Sequence, residues 1–344
     1  MAIKQAGMNG CILVIDDFDH CLVAGLEEAG YNVLYRPEIK ANEVANTILE
    51  VKPMGLLVRS KIQVTADILT ANFGWLKWIG RGGAGMDNID ESRALELGIQ
   101  CFNAGEANSI AVGEQTIGMM LSLLHRIGKG NLEVRKGIWD REGNRGVELA
   151  SLTVGIIGLG NTGGAVAQRL SAFGCKILAY DKYKVGYGKA LPEASESGFL
   201  DRGMGVSGDM ICSFESGVIY EANLDEIYRQ ADILSLHVPL TEETESWLDI
   251  SRLRKFQKPI WLLNLSRGKV VDLNAVVEGM SLGFILGFGA DVLEQEPPFE
   301  KLDSFEILRK NDAVIFTPHV GGWTVESYKR ISEVLLDKIL KLKI

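Results

Sequence analysis

Three polar side chains interrupt apolar segments in the second half of the chain: Arg267 in NLSRGKVVD, Glu296 in DVLEQEPP and His319 in TPHVGG. These residue types suit proton transfer beside a bound anion. A histidine titrates near neutrality and can take up or release a proton. A carboxylate within hydrogen-bond reach favours the charged imidazolium, and the planar fork of an arginine matches a carboxylate with two parallel bonds. A second set lies upstream, where Gly158, Gly160 and Gly163 form G-x-G-x-x-G after the apolar run 154–157 and before Ala165, Val166, Ala167 and Leu170. The first glycine permits a tight turn, the second lets backbone approach a pyrophosphate, and the third lets a helix pack on a strand. The helix that follows points its positive end at the phosphates. Asp181 closes the next strand, where a carboxylate can accept both ribose hydroxyls of NAD and repel the 2′-phosphate of NADP, so NAD is the expected cofactor.

Residues of this kind act from the loops beyond the carboxyl ends of parallel strands. The apolar runs at 11–15, 33–35, 55–58, 77–79 and 100–102, with helical patterns between them, predict one doubly wound unit. The fingerprint opens a second, continued by strands at 233–236, 260–263, 284–289 and 313–316. The segment 108–127 reads as a long buried helix crossing between the two, and 325–342 as a final amphipathic helix returning to the first. The expected fold class is therefore α/β with two doubly wound parallel-sheet domains, a flavodoxin-like substrate domain and a Rossmann NAD-binding domain, with an active-site cleft between them. The expected boundaries are 1–106 with 318–344, and 107–317. The stretch 184–217, rich in Gly and Ser, breaks both periods and is read as a surface excursion.

Composition narrows the classes. The 344 residues, 47% of them hydrophobic, suffice for two buried cores. A net charge of −9 argues against nucleic-acid or anionic-membrane partners. With no apolar run approaching a membrane span and no secretory pattern at the start, a cytoplasmic protein is expected. The five cysteines are scattered and show neither a disulfide frame nor a zinc spacing, and no metal is expected.

Taken together, the fingerprint, HVPLT at 237–241, Asn264-x-Ser266-Arg267-Gly268, Asp291-Val292-x-x-x-Glu296-Pro297 and Pro318-His319-x-Gly321-Gly322 resemble the D-isomer-specific 2-hydroxyacid dehydrogenase family over nearly the whole chain. The resemblance implies that Arg267 binds the substrate carboxylate and keto oxygen, that His319 is the acid/base, and that Glu296 orients and charges it. It also implies that Asn161 and Thr162 face the pyrophosphate, and that Val238 and Pro239 lie on the adenosine side. Leu265, Ser266 and Asp291 fall on the nicotinamide side, with Gly321 and Gly322 beside the cofactor, and His237 is structural.

Within the family the first domain is most similar to the D-3-phosphoglycerate dehydrogenases, in LVRS at 57–60, GRGGAGMDNID at 80–90 and Asn108-Ser109. This implies a phosphorylated 2-hydroxy acid bound by Arg59, Ser60, Arg81, Gly82, Gly83 and Asn108, in a homodimer or dimer of dimers. Trp323 stands where those enzymes usually carry a small residue. The chain ends without the regulatory domain of longer relatives, so serine feedback through such a domain is not expected. A glyoxylate or hydroxypyruvate reductase is the neighbouring alternative, and a nonenzymatic NAD-sensing protein is the alternative of another class. Asp16 and Asp17 at the end of the first strand suggest a phosphorylatable receiver domain. However, the third strand ends in Arg59-Ser60 rather than an acceptor aspartate, which leaves those acids as turn or helix-capping residues.

Overall fold

The computed structural model describes residues 9–71, 74–183, 210–214, 217–221, 223–296 and 302–342. They form two compact units. One comprises Met1–Ser109 with Gly322–Ile344, the other Ile110–Gly321.

In the first unit β1 (Cys11–Val14), β2 (Asn32–Tyr35), β3 (Gly55–Val58), β4 (Trp78–Arg81) and β5 (Gln100–Asn103) make a parallel sheet in the order β2-β1-β3-β4-β5. Helices α1 (His20–Glu28), α2 (Ala41–Val51), α3 (Ala66–Thr70) and α4 (Glu91–Glu96) connect the strands. In β1, β3 and β4 the buried side chains alternate between two cores. Leu13, Leu56, Val58 and Ile79 pack on one face, and Ile12, Val14, Leu57 and Trp78 on the other. Because both faces are covered, the strands read as unbroken apolar runs. The order reverses at β1 and β3, so the carboxyl ends of these two strands form the unit's natural ligand crevice.

Helix α5 (Gly105–Leu124) carries the chain across the unit boundary, followed by α6 (Ile127–Arg135). The sequence pattern placed a single helix at 108–127. The observed one starts and stops three residues earlier, and Arg126 in the left-handed region separates the second. The other sheet holds β6 (Thr153–Ile157), β7 (Lys176–Tyr180), β8 (Met210–Phe214), β9 (Gly217–Glu221), β10 (Ile233–Leu236), β11 (Ile260–Asn264), β12 (Ile285–Ala290) and β13 (Val314–Phe316). Its order is β13-β12-β11-β10-β6-β7-β9-β8, parallel except for the β8–β9 hairpin. This hairpin corrects the sequence expectation, which placed β8 and the start of β9 inside a structureless excursion and omitted the strand beyond β7. Residues 184–209 of that excursion lie outside the described residues. Helices α7 (Asn161–Ser171), α8 (Leu224–Gln230), α9 (Ile250–Leu253), α10 (Leu273–Ser281) and α11 (Asp303–Leu308) complete the unit.

The chain then returns to the first unit through α12 (Val325–Leu340). Thr324 caps this helix by accepting the Ser327 N–H. Ile331, Leu335 and Ile339 recur on its buried stripe against α1, where Leu22 and Leu26 face them. Among the described residues no helix is long and apolar enough to cross a membrane.

Candidate active site

Strand β11 runs directly into Arg267, and Asn264 shapes the turn. Its Oδ1 accepts from the Ser266 N–H at 3.1 Å and the Ser266 hydroxyl at 2.8 Å, while its Nδ2 donates to the Arg267 carbonyl at 2.9 Å. The Arg267 guanidinium donates back to the Ser266 carbonyl at 2.6 Å. Gly268 follows because nothing larger fits, since a Cβ there would lie 1.9 Å from the Leu293 carbonyl carbon. The Arg267 loop and the loop after β12 therefore touch backbone to backbone. In that second loop Glu296 accepts the Leu293 N–H at 2.8 Å with Oε1, and its Oε2 sits 2.6 Å from His319 Nδ1.

Asp291 anchors the turn that carries His319. Its buried carboxylate accepts from the Thr317 hydroxyl at 2.5 Å, the Val320 N–H at 2.9 Å and the Gly321 N–H at 2.8 Å, and its carbonyl accepts the His319 N–H at 2.9 Å. These bonds hold His319 at φ +53°, a left-handed conformation that a bulky residue keeps only where its surroundings impose it. Burial opposes ionisation of Glu296. The hydrogen bonds from His319 and the Leu293 N–H, with the His319 and Arg267 charges, outweigh that burial and hold its carboxyl below the usual range. An ionised Glu296 fixes Nδ1 as the proton-bearing nitrogen, so Nε2 is the atom that can exchange a proton with a substrate.

Between β6 and α7 the glycines build a cradle. Gly158 has φ +90°, and a Cβ there would lie 2.5 Å from the His237 carbonyl oxygen. A Cβ on Gly163 would lie 1.9 Å from the Gly158 carbonyl oxygen. Gly160 caps α7 without a side-chain bond and has open space where a side chain would be, which leaves room beside the start of the helix. Asp181 receives the Leu159 N–H at 2.8 Å on Oδ2 and the Tyr183 N–H at 3.1 Å on Oδ1, which leaves each oxygen an acceptor site. This arrangement fits a dinucleotide: a helix N-terminus for the pyrophosphate and a fixed carboxylate for a ribose. Asn161 and Thr162 begin α7, and Val238 and Pro239 follow β10 across the same loop. His237 is bonded through Nε2 to the Ser235 hydroxyl at 2.8 Å, and burial takes it down to about 4, which keeps it neutral beneath the loop.

The residues expected to meet substrate in the first unit are differently engaged. The Arg59 N–H donates to buried Asp16 at 2.6 Å. The Arg59 guanidinium lies 4.4 Å from the Trp323 ring centroid, 5.3 Å from that of Tyr328 and 6.0 Å from that of Phe18, and donates to the Asp17 carbonyl at 3.3 Å. Asp17 accepts in turn from the Tyr35 hydroxyl at 2.8 Å, and burial together with its bond to Asp17 pushes the Tyr328 phenol up. Asp16 and Asp17 are thus not caps. Asp19 caps α1, while the first two tie the ends of β1 and β3 together. Ser60 is exposed beside Arg59, whereas Arg81 folds back over Gly83 and donates to the Gly82 carbonyl at 3.4 Å. Gly322 packs on Asn108 within this unit.

Sequence reasoning passed over several of these groups. Gly268 had a local signal, a glycine directly after a candidate arginine. In the aromatic clamp on Arg59 only Trp323 had a signal, its departure from the family pattern, and nothing joined it to positions 18 and 328.

The family model for the D-isomer specific 2-hydroxyacid dehydrogenase NAD binding domain matches residues 117–198 and 208–321. The chain is 36% identical over 289 residues to a hydroxypyruvate reductase of Thermotoga maritima, covering 83% of each. It is 34% identical over 334 residues to a D-3-phosphoglycerate dehydrogenase of Methanocaldococcus jannaschii, covering 96% of this chain and 57% of that protein, so it spans little more than half of that relative's length. Among solved structures, D-lactate dehydrogenase of Aquifex aeolicus in complex with NAD and lactic acid superposes with a TM-score of 0.73 at 26% identity, covering 96% of this chain and 94% of that one. With the cradle, the acid–histidine pair and the matched segments in agreement, the chain belongs to the D-isomer-specific 2-hydroxyacid dehydrogenase family of NAD-dependent oxidoreductases.

Proposed function

We propose that this protein catalyses the reversible NAD-linked oxidation of D-3-phosphoglycerate to 3-phosphohydroxypyruvate, the entry reaction of serine biosynthesis. The observation that carries the choice of substrate is Arg59, whose guanidinium is stacked on Trp323 and Tyr328 at the strand ends where the sheet order reverses. Stacking occupies the faces of a guanidinium and leaves its N–H edge for a phosphate.

NAD, when bound in the Gly158–Gly163 cradle, supplies the acceptor for the hydride that leaves C2. His319 Nε2 accepts the hydroxyl proton, and Glu296 stabilises the imidazolium that results. Arg267 pairs with the carboxylate and the developing carbonyl oxygen. Gly82 and Gly83, whose N–H groups already donate to the Val58 and Arg81 carbonyls at 2.7 and 3.0 Å, would leave room for the substrate rather than donate to it, and Asn108 would offer its amide. The exposed side chains of Ile127, Leu132, Val134, Ile138 and Trp139 support an interface with a second copy, and the free thiols of Cys11, Cys21, Cys101 and Cys175 support a cytoplasmic setting.

A second reading, reduction of hydroxypyruvate or glyoxylate, is favoured by Asp17. Its carbonyl takes an Arg59 donor, and its carboxylate adds a negative charge beside the place proposed for the phosphate. NADH formation from D-3-phosphoglycerate, D-glycerate and D-lactate separates the two. The phosphorylated substrate is expected to give the highest kcat/KM, and higher efficiency on D-glycerate would transfer the assignment to the reductases.

A further inference from the structure

Glu243 and Lys182 meet where neither the fingerprint nor the catalytic residues require them. Lys182 follows Asp181 at the end of β7, and Glu243 lies in the loop after β10; their side chains are 2.5 Å apart, and the Tyr183 hydroxyl is 3.3 Å from the same carboxylate oxygen. In the sheet β10 and β7 flank β6, so the two loops are about two strand spacings, roughly 10 Å, apart. The ion pair therefore arches over the end of β6, from which the Gly158–Gly163 loop departs. The loop bearing Glu243 is fixed. Thr244 Oγ1 donates to the Pro239 carbonyl at 2.6 Å and accepts the Thr241 N–H at 2.8 Å, and the Glu245 N–H closes onto the Thr241 carbonyl at 2.9 Å.

Both side chains are a little over half exposed, so the pair contributes little to stability. Its charges are another matter. A cation beside the acid at the end of the second fingerprint strand stands where a dinucleotide-binding fold accommodates a ribose 2′-phosphate. We propose that Glu243 is a specificity-determining residue for the nucleotide: by holding Lys182 across the end of β6 it withholds that cation from a 2′-phosphate and adds a second carboxylate beside Asp181. The hydrogen bond to Glu243 pushes the Lys182 ammonium up and, reciprocally, holds the Glu243 carboxyl down, so both partners are charged at neutral pH. The inference rests on nucleotide binding in the Gly158–Gly163 cradle.

The test is calorimetric titration of the full chain with NADH, NADPH, ADP-ribose and 2′-phospho-ADP-ribose, which reads binding without turnover. Removing one negative charge near a phosphate at the protein surface is worth roughly three- to tenfold in affinity. Glu243→Gln is accordingly expected to raise the NADPH-to-NADH and 2′-phospho-ADP-ribose-to-ADP-ribose affinity ratios by that factor at low salt. Adding Lys182→Met should remove the gain, and about 0.5 M salt should shrink it. Affinities for both members of each pair that change in parallel overturn the role of Glu243, and a gain that survives Lys182→Met overturns its action through Lys182. Wild-type protein that binds neither NADH nor ADP-ribose overturns the nucleotide site itself.

Discussion

His319 occupies a strained backbone conformation because Asp291 ties its turn at four points, and the strain aims Nδ1 at Glu296. A histidine that served only to fill space would gain nothing from it. His319→Ala is expected to lower turnover by about 10²–10⁴-fold while NADH still binds, measured by steady-state kinetics and fluorescence titration. Glu296→Gln keeps the shape of the contact but removes the charge that favours the imidazolium. Turnover should then fall by about 10–100-fold with NADH affinity unchanged, and unaltered turnover would show that Glu296 does not act through His319. The native Glu296 carboxyl is depressed, so the stabilisation from its charge is present above the ordinary carboxylate range and lost only as pH falls through the lower folded value. At this scale the sequence names Glu296 and His319 by their polar character at apolar strand ends. It singles out Trp323 as a departure from the family pattern but is silent on Tyr328 and Phe18 and on the gathering of all three around Arg59, which no spacing connects.

Loops and strands differ in how openly they declare themselves. The parallel strands buried on both faces are readable as short apolar runs, and β3 and β10 fall at the positions the pattern predicts. The β8–β9 hairpin escapes because its surroundings are rich in Gly and Ser, which break the strand period, and β8 is the edge strand. α6 escapes for a related reason: it has no buried residue, so no apolar stripe marks it. The close approach of the Gly268 and Leu293 loops is likewise a property of two elements rather than of one motif. Gly268→Ala must push these backbones apart, moving Arg267 and Glu296 together, since the clash is with main chain and no rotamer relieves it. A loss of about 10²-fold or more in kcat/KM is expected, measured by steady-state kinetics. Near-normal kinetics would mean that the two loops accommodate the methyl without displacing either side chain.

The molecule as a whole consists of one unit drawn from a continuous segment and one drawn from two segments far apart in the chain. The core of the second kind is closed from outside: Ile331, Leu335 and Ile339 pack with Ile12, Val14, Leu22 and Leu26, the Asp19 N–H donates to the Ser332 hydroxyl at 3.0 Å, and Leu336 fills the space above Gly25. Leu335→Ala should lower the stability of that unit by about 2–5 kcal/mol. Nucleotide binding should persist below its melting transition, because the cradle belongs to the continuous unit; unfolding followed by circular dichroism alongside NADH fluorescence reads both. The split has a consequence for synthesis. Strands β1 to β5 leave the ribosome before α12, so the face formed by Ile12, Val14 and Leu57 is covered only in part, by Leu22 and Leu26 of α1, until α12 emerges. The middle of the chain can complete its own core earlier, so folding order departs from the order of translation, and the first segment waits as a client for whatever shields nascent apolar surface in the cell.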